Sequence, residues 1–283
     1  MQHRLENYQR FFFIGIAGTG MSALAQYLRG LGREVCGSDR YFSQGLGLDV
    51  KEKLEAEGIR CYSQGEGLPA AGVDLVIAST AVEDQVPEMK AARETSIPVI
   101  RRSELLAMIC DSRKTIAVGG TSGKSTTSAL LFDMLEAGGL KPGIISGAGL
   151  VSLMEQGRIG NAAVGEGEWL VIEADESDGS IVQYHPEIGL LLNIDKDHQE
   201  MNQLMELFGQ FRDHSRYFVV NASQEPANQL SVHPQHDFAT AAGTSAGTVA
   251  TDFRQEGLQS TFRINGFPFK VSLPGRHNME NVL

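Results

Sequence analysis

The chain is poor in cysteine, in positive charge and in long apolar runs, and each shortage excludes a class of protein. Its 283 residues hold three cysteines, Cys36, Cys61 and Cys110, with no CxxC pair among them. Neither a disulfide framework nor a thiolate zinc site is therefore expected. Lysine and arginine number 24 against 35 acidic residues, a formal net charge of −11. Nothing supplies a phosphate-neutralising surface, so nucleic acid is not expected as a partner. No apolar stretch approaches the roughly 20 residues that span a bilayer, and the opening MQHRLENYQR lacks the apolar core of a secretion signal. The expectation is no membrane insertion and a cytoplasmic location. Hydrophobic residues make up 42% and charged residues 21%, the balance of globular domains with real cores, and the length accommodates two of them.

Among what is present, the apolar, β-prone run FFFIGI leads directly into Gly18-x-Gly20-x-x-Ala23. Such a run suits a strand buried on both faces. Met21, Leu24, Ala25, Leu28 and Leu31 then recur at helical spacing, which predicts a helix opening at the glycines. Unpaired amides and the dipole at a helix start favour an anion, and glycine lets backbone approach a phosphate closely. Asp39 closes the next predicted strand, Glu34 to Ser38, where it can accept a hydrogen bond from a ribose hydroxyl. These residues leave two ligands open, a dinucleotide as in a nicotinamide-dependent oxidoreductase, or another carrier of a pyrophosphate.

Further strands are predicted at Arg10 to Ile16, Ile59 to Tyr62, Leu75 to Ser79 and Pro98 to Ile100, with helices between them. That alternation implies a parallel, Rossmann-like sheet with ligands at the carboxyl ends of its strands. Ser79, Thr80 and Ala81 follow one such end, and Arg101 and Arg102 another.

A second unit is predicted to begin near Asp111 to Arg113, giving domains over 1–112 and 113–283. Its first strand, TIAVGG, runs into Gly120-Thr121-Ser122-Gly123-Lys124-Ser125-Thr126. Glycines there allow successive amides to face phosphate, Lys124 offers a point charge, and a Ser125 or Thr126 hydroxyl can ligate magnesium. The full phosphate-loop pattern needs glycine at position 118, which is Val118, so this is a shortened relative of that loop. Two acidic clusters follow apolar runs. WLVIEADESD carries Glu173, Asp175, Glu176 and Asp178, and LLLNIDKDHQE carries Asp195, Asp197 and His198. Carboxylates such as Glu173 beside nucleotide phosphates suit magnesium, which prefers oxygen ligands. Beyond about residue 237 the pattern turns to short period-two segments, with Asn265-Gly266 marking a hairpin. The fold class expected is α/β: a Rossmann-like parallel-sheet domain, then a phosphate-loop mononucleotide-binding domain with a small β-rich extension. The final HNMENVL begins an apolar helix face with Met279, Val282 and Leu283 that is marginal at two turns unless something covers it, so the chain reads as cut.

In order along the chain, GIAGTGMSALA with GSD after it, VIASTAVEDQVPEMKAARETSIPVIRRSELLA, GTSGKST, EADESDGS, NIDKDH and LPGRHNMENVL resemble the Mur ligases. These are ATP-dependent amide-bond-forming enzymes of peptidoglycan synthesis. The resemblance implies a first domain that binds a UDP-sugar through Gly15, Ala17, Gly18, Thr19, Gly20, Met21, Ser22, Asp39, Ser79, Thr80, Ala81 and Arg101. It implies a second that binds ATP through Gly120, Thr121, Ser122, Gly123, Lys124, Ser125, Thr126, His277 and Asn278. Catalytic roles fall to Lys124, Glu173 and His198, and a Mg2+ site to Ser125, Glu173 and His198. The implied partners are UDP-N-acetylmuramate and an amino acid, L-alanine. A tripeptide-recycling relative is the alternative, and Ser177, where that relative carries tyrosine, favours alanine. The family's loops read GTHGKTTT, whereas Ser122 and Ser125 stand here in place of histidine and threonine. A third, amino-acid-binding domain normally follows the GRHN helix, so the 283-residue chain is expected to bind its ligands and ligate poorly by itself.

Overall fold

A computed structural model describes all residues except 1–3, 70–71, 178, 196–199 and 242. The chain divides into two compact units, one of residues 1–113 with 141–170, the other of 114–140 with 171–283.

The first unit is built on five parallel strands: β1 (Arg10–Ile14), β2 (Glu34–Asp39), β3 (Arg60–Ser63), β4 (Leu75–Ala78) and β5 (Val99–Arg101). Their order in the sheet is β3-β2-β1-β4-β5. The order reverses between β1 and β4, and a crevice opens at such a switch point. Phe11 to Ile14 are no more than 1% exposed, as the continuous apolar run of a strand covered on both faces requires. The helix Thr19–Gly30 starts at the glycine turn and buries Met21 to Leu28. Two short strands, β7 (Gly143–Ile145) and β8 (Ala162–Ala163), pair antiparallel within this unit as well. Here Asn161 donates to the Thr19 carbonyl at 2.9 Å and the Ser22 hydroxyl at 3.1 Å, while Gln26 donates to the Asn161 side chain at 2.7 Å.

In the second unit β6 (Lys114–Gly119) lies between β10 (Ile188–Leu191) and β9 (Trp169–Glu173), with β11 (Tyr217–Val220) beyond β10. The pairs β6–β10 and β10–β11 are parallel. Phe208 and Phe211 of the helix Met201–His214 are fully buried, and Phe211 meets Phe218 edge to face at 5.7 Å. The β-rich extension is a four-stranded sheet of β12 (Phe238–Ala239), β13 (Thr248–Glu256), β14 (Gln259–Ile264) and β15 (Phe267–Val271), in that order. Asn265 (φ 49°) and Gly266 (φ 85°) form the two-residue turn between β14 and β15, as the Asn-Gly pair predicts. The closing helix Arg276–Val282 packs Met279 against Ala250 and Phe262, with Val282 and Leu283 beside them. Part of the cover that so short a helix needs therefore comes from the extension's own sheet, and part from the helix Lys124–Ala137.

Candidate functional site

In the first unit, β1 leads into Gly15, whose φ of +86° disfavours any larger residue; a methyl group there would also lie only 3.1 Å from the Ser79 Cβ. The chain then turns back so that the amides of Gly15 and Ile16 donate to the Ser38 carbonyl at 2.8 and 3.1 Å. Gly18 caps the helix Thr19–Gly30 without a side chain of its own, leaving the first-turn amides for an outside acceptor. Asp39, 4% exposed, takes the Ala17 amide on one oxygen and the Tyr41 amide on the other, both at 2.9 Å. Its carboxylate thus ties the glycine turn to the end of β2, an anchoring role in addition to whatever lone pair it offers a ribose.

A cleft of about 350 Å³ opens here, lined by Gly15, Gly18, Asp39, Arg40, Tyr41, Gln64, Ser79, Ala81, Val82, Glu83 and Val86. Five of the residues singled out from sequence line it: Gly15, Gly18, Asp39, Ser79 and Ala81. Met21 and Ser22 are buried, the Ser22 hydroxyl donating to the Thr19 carbonyl at 3.0 Å and accepting from Asn161. Gly20 lies under the Arg102 side chain. Ala17, Thr19 and Thr80 are not among the residues lining the cleft. Arg101 is exposed and donates to the Ser79 carbonyl at 3.1 Å, buttressing the loop after β4. Sequence reasoning missed Arg40, Tyr41, Gln64, Val82, Glu83 and Val86. Arg40 and Tyr41 directly follow the GSD motif and could have been found there, whereas Gln64 carries no local signal.

In the second unit Val118 is still within β6 and fully buried, which is why the loop is shorter than the full phosphate-loop pattern. Gly123, at φ +84°, caps the helix Lys124–Ala137. Lys124 Nζ donates to the Gly120 carbonyl at 2.7 Å and to Glu176 Oε2 at 2.8 Å. Ser125 Oγ donates to Glu173 Oε2 at 3.0 Å. Asn193 holds the loop from below: its Oδ1 accepts from Thr121 Oγ1 at 2.8 Å and the Ser122 amide at 2.9 Å, and its Nδ2 donates to the Ser122 carbonyl at 3.0 Å. Thr121 Oγ1 in turn accepts from the Asp195 amide at 3.0 Å. The exposed Ser122 side chain leaves this clamp to the backbone, so serine in place of histidine does not disturb it. Thr126 is half-buried in the first turn of the helix. His277 is exposed, while Asn278 is buried and donates to the Pro274 carbonyl at 2.7 Å. Asn281, on the same helix, lies against Gly123. His198, Asp197 and Asp178 lie outside the described residues. Asn193 was missed from sequence although it sits in the quoted NIDKDH motif, because the charged members drew the assignment.

Fold and geometry define an α/β protein with a nucleotide-type glycine turn at the head of a parallel sheet in each unit. The chain belongs to the Mur ligase family: the description "Mur ligase family, catalytic domain" matches residues 10–114, and "Mur ligase middle domain" matches residues 118–283. Similar curated proteins include the UDP-N-acetylmuramate–L-alanine ligase of Mesorhizobium japonicum, 35% identical over 294 residues, covering 95% of this chain and 60% of that protein. The enzyme of the same name from Desulfatibacillum aliphaticivorans is 35% identical over 284 residues, covering 96% and 60%. Among solved structures, the UDP-N-acetylmuramate-alanine ligase of Thermotoga maritima superposes with a TM-score of 0.79 at 25% identity, covering 96% of this chain and 62% of the other. The chain thus spans about 60% of the length of the curated relatives it matches. Among the described residues, no helix is long and apolar enough to cross a membrane.

Proposed function

We propose that this chain supplies the UDP-sugar-binding and ATP-binding units of an ATP-dependent ligase that joins L-alanine to the lactyl carboxylate of UDP-N-acetylmuramate. The observation that carries this reading is the pairing of Lys124 with Glu176 and of Ser125 with Glu173 at the second glycine loop, in a chain whose first unit has a cleft at its own glycine turn. A dinucleotide oxidoreductase accounts for the cleft and leaves the loop without a task. The 35% identity to alanine-adding ligases supports the particular substrates.

A carboxylate is a poor acyl donor, because its charge is delocalised and its oxygen leaves badly. Transfer of the γ-phosphoryl group of ATP to the lactyl carboxylate gives an acyl phosphate, whose phosphate leaves well. The alanine amine then attacks the acyl carbon, and the tetrahedral intermediate collapses to the amide and inorganic phosphate. Two anions must meet in the first step, so Lys124 is placed to offset their repulsion and to stabilise charge as it shifts between oxygens. The Thr121 and Ser122 amides are already taken by Asn193, so the amides at the start of the helix Lys124–Ala137 are the ones left to hold the phosphates. A hydroxyl and a carboxylate 3.0 Å apart at Ser125 and Glu173 are hard oxygen donors that fit Mg2+, which when bound supplies positive charge beside the phosphates. His198 is assigned to the same site. His277 and Asn278 are assigned to the adenine end.

Calorimetric titration of the chain with UDP-N-acetylmuramate, ATP and NADH tests the reading. The expected result is saturable binding of UDP-N-acetylmuramate, weaker binding of ATP that requires Mg2+ and is lost in Lys124→Ala, and no binding of NADH. Tight NADH binding without UDP-N-acetylmuramate binding overturns it.

A further inference from the structure

We propose that the first unit carries a second small-molecule site, at the carboxyl end of the helix Thr19–Gly30, and that it takes a free α-amino acid as the zwitterion. An open cavity of about 490 Å³ lies there, with Gln26, Arg29, Gly30, Glu57, Arg158 and Val164 in its lining. One water takes up roughly 30 Å³, so the space suits a small organic molecule. The helix has 12 residues, which puts its end roughly 18 Å from the glycine turn that opens it. The cavity shares no lining residue with the cleft at that turn, and its assignment does not rest on the function proposed above.

Gln26 is 2% exposed, and only one end of its side-chain amide is engaged. Nε2 donates to the Ser22 carbonyl at 2.9 Å and to Asn161 Oδ1 at 2.7 Å. Two acceptors around that atom fix which way round the amide sits. Oε1 is then an acceptor, buried and without a hydrogen-bond partner among the described residues, a state that costs free energy until a donor arrives. The helix ends at Gly30, where its dipole favours a positive group. Glu57 adds a carboxylate to the same lining, so an ammonium is the donor that these groups fit.

Two guanidinium groups meet at Glu57. Arg29 Nε donates to its carbonyl at 3.1 Å, and Arg158 Nε donates to its Oε1 at 3.2 Å. Arg158 Nη2 goes to the Ala162 carbonyl at 3.1 Å, and Arg29 Nη1 reaches the Arg33 carbonyl at 3.5 Å. That leaves Arg158 Nη1 and Arg29 Nη2 unengaged among the described residues, and such N–H groups suit a carboxylate. Groups of both signs around one small space, with the apolar Val164 beside them, match an amino acid with a small apolar side chain. Its ammonium faces Gln26 and Glu57, and its carboxylate faces Arg29 and Arg158. A simple anion leaves the Gln26 acceptor unpaired, and a simple cation leaves the guanidinium donors unused.

Saturation-transfer NMR on the unaltered chain, Arg29→Gln and Glu57→Gln with L-valine, isovalerate and isobutylamine tests this. L-Valine carries both charges and is not the amino acid of the reaction proposed above. Isovalerate keeps only its carboxylate, and isobutylamine only its ammonium. The unaltered chain should bind L-valine saturably and each single-charge probe at least about 10-fold more weakly, the loss of one charged hydrogen-bonding group. Arg29→Gln should weaken L-valine and isovalerate by about that factor and spare isobutylamine. Glu57→Gln should weaken L-valine and isobutylamine and leave isovalerate no weaker. Thermal unfolding of the same samples reports whether each variant is folded, and the comparison of probes on the unaltered chain needs no variant. Isovalerate binding as tight as that of L-valine overturns the zwitterion, and L-valine binding unchanged in both variants overturns the site. No saturable L-valine binding overturns the proposal outright, while binding of UDP-N-acetylmuramate by the same sample leaves the proposed function standing.

Discussion

Lys124 is engaged before any nucleotide reaches it, by the Gly120 carbonyl and by Glu176. The side chains of the ion pair are 17% and 9% exposed, so solvent screens it little. An incoming phosphate has to draw the ammonium away from Glu176, whose own charge also repels it. Glu176→Gln keeps an acceptor and removes the charge, so ATP should bind about 3- to 10-fold more tightly, roughly 1 kcal/mol. Calorimetry on the two proteins checks this, and weaker binding by the variant would show that Glu176 assists the nucleotide. At this scale the sequence was legible where spacing is local. Lys124 and Ser125 belong to one turn, and their phosphate-facing chemistry follows from that turn alone. The Lys124–Glu176 pair and the Asn193 clamp join positions 52 and about 70 residues apart. No local pattern encodes such pairings; β6, β9 and β10 create them by running side by side.

Elements with a strong period were readable and those without one were not. FFFIGI and the helix after it, the TIAVGG strand and the Asn265-Gly266 hairpin all stand where their patterns put them. The strands β8 and β12, of two residues each, exist only through their neighbours. The helix after the second glycine loop starts at Lys124, within the loop motif itself, so its first turn faces the loop rather than the core. Gly123 at φ +84° is the hinge of that start, and a Cβ there would lie 2.6 Å from Asn281 Oδ1. Gly123→Ala should therefore cost about 1–3 kcal/mol, lowering Tm by roughly 2–4 °C per kcal/mol. Gly209, inside the helix Met201–His214, has no atom within 4 Å of a Cβ position. Gly209→Ala should raise Tm, by about 0.5–1 kcal/mol of stability. Thermal unfolding of the two variants gives opposite signs if backbone conformation governs, and the same sign if it does not.

Across the whole molecule, the scarcity of cysteine becomes a means of reading how often the first unit opens. Cys36 of β2 is buried, Cys61 of β3 is half-buried, and Cys110 is buried as well. Burial first, then neighbouring acids, pushes the Cys61 thiol up to about 12. Burial likewise pushes Cys36 up to about 11, with Arg60 opposing it slightly. Both folded values lie above the roughly 8.5 of a free thiol. The neutral thiols therefore contribute stability that is fully present below about pH 8.5 and is lost as pH rises through about 11 and about 12. Only the thiolate reacts with an alkylating agent. At pH 8 the folded protein should hold roughly 200-fold less Cys36 thiolate, and roughly 2,000-fold less Cys61 thiolate, than the unfolded chain. Iodoacetamide labelling at that pH, followed by mass, should then be slow in buffer and complete within minutes in denaturant. Below that intrinsic limit the labelling rate in buffer should follow the fraction of molecules in which β2 and β3 are open. A rate raised by mild denaturant and lowered by UDP-N-acetylmuramate would tie that opening to the cleft at the ends of these strands, and labelling of the native protein as fast as the denatured one would refute the shielding.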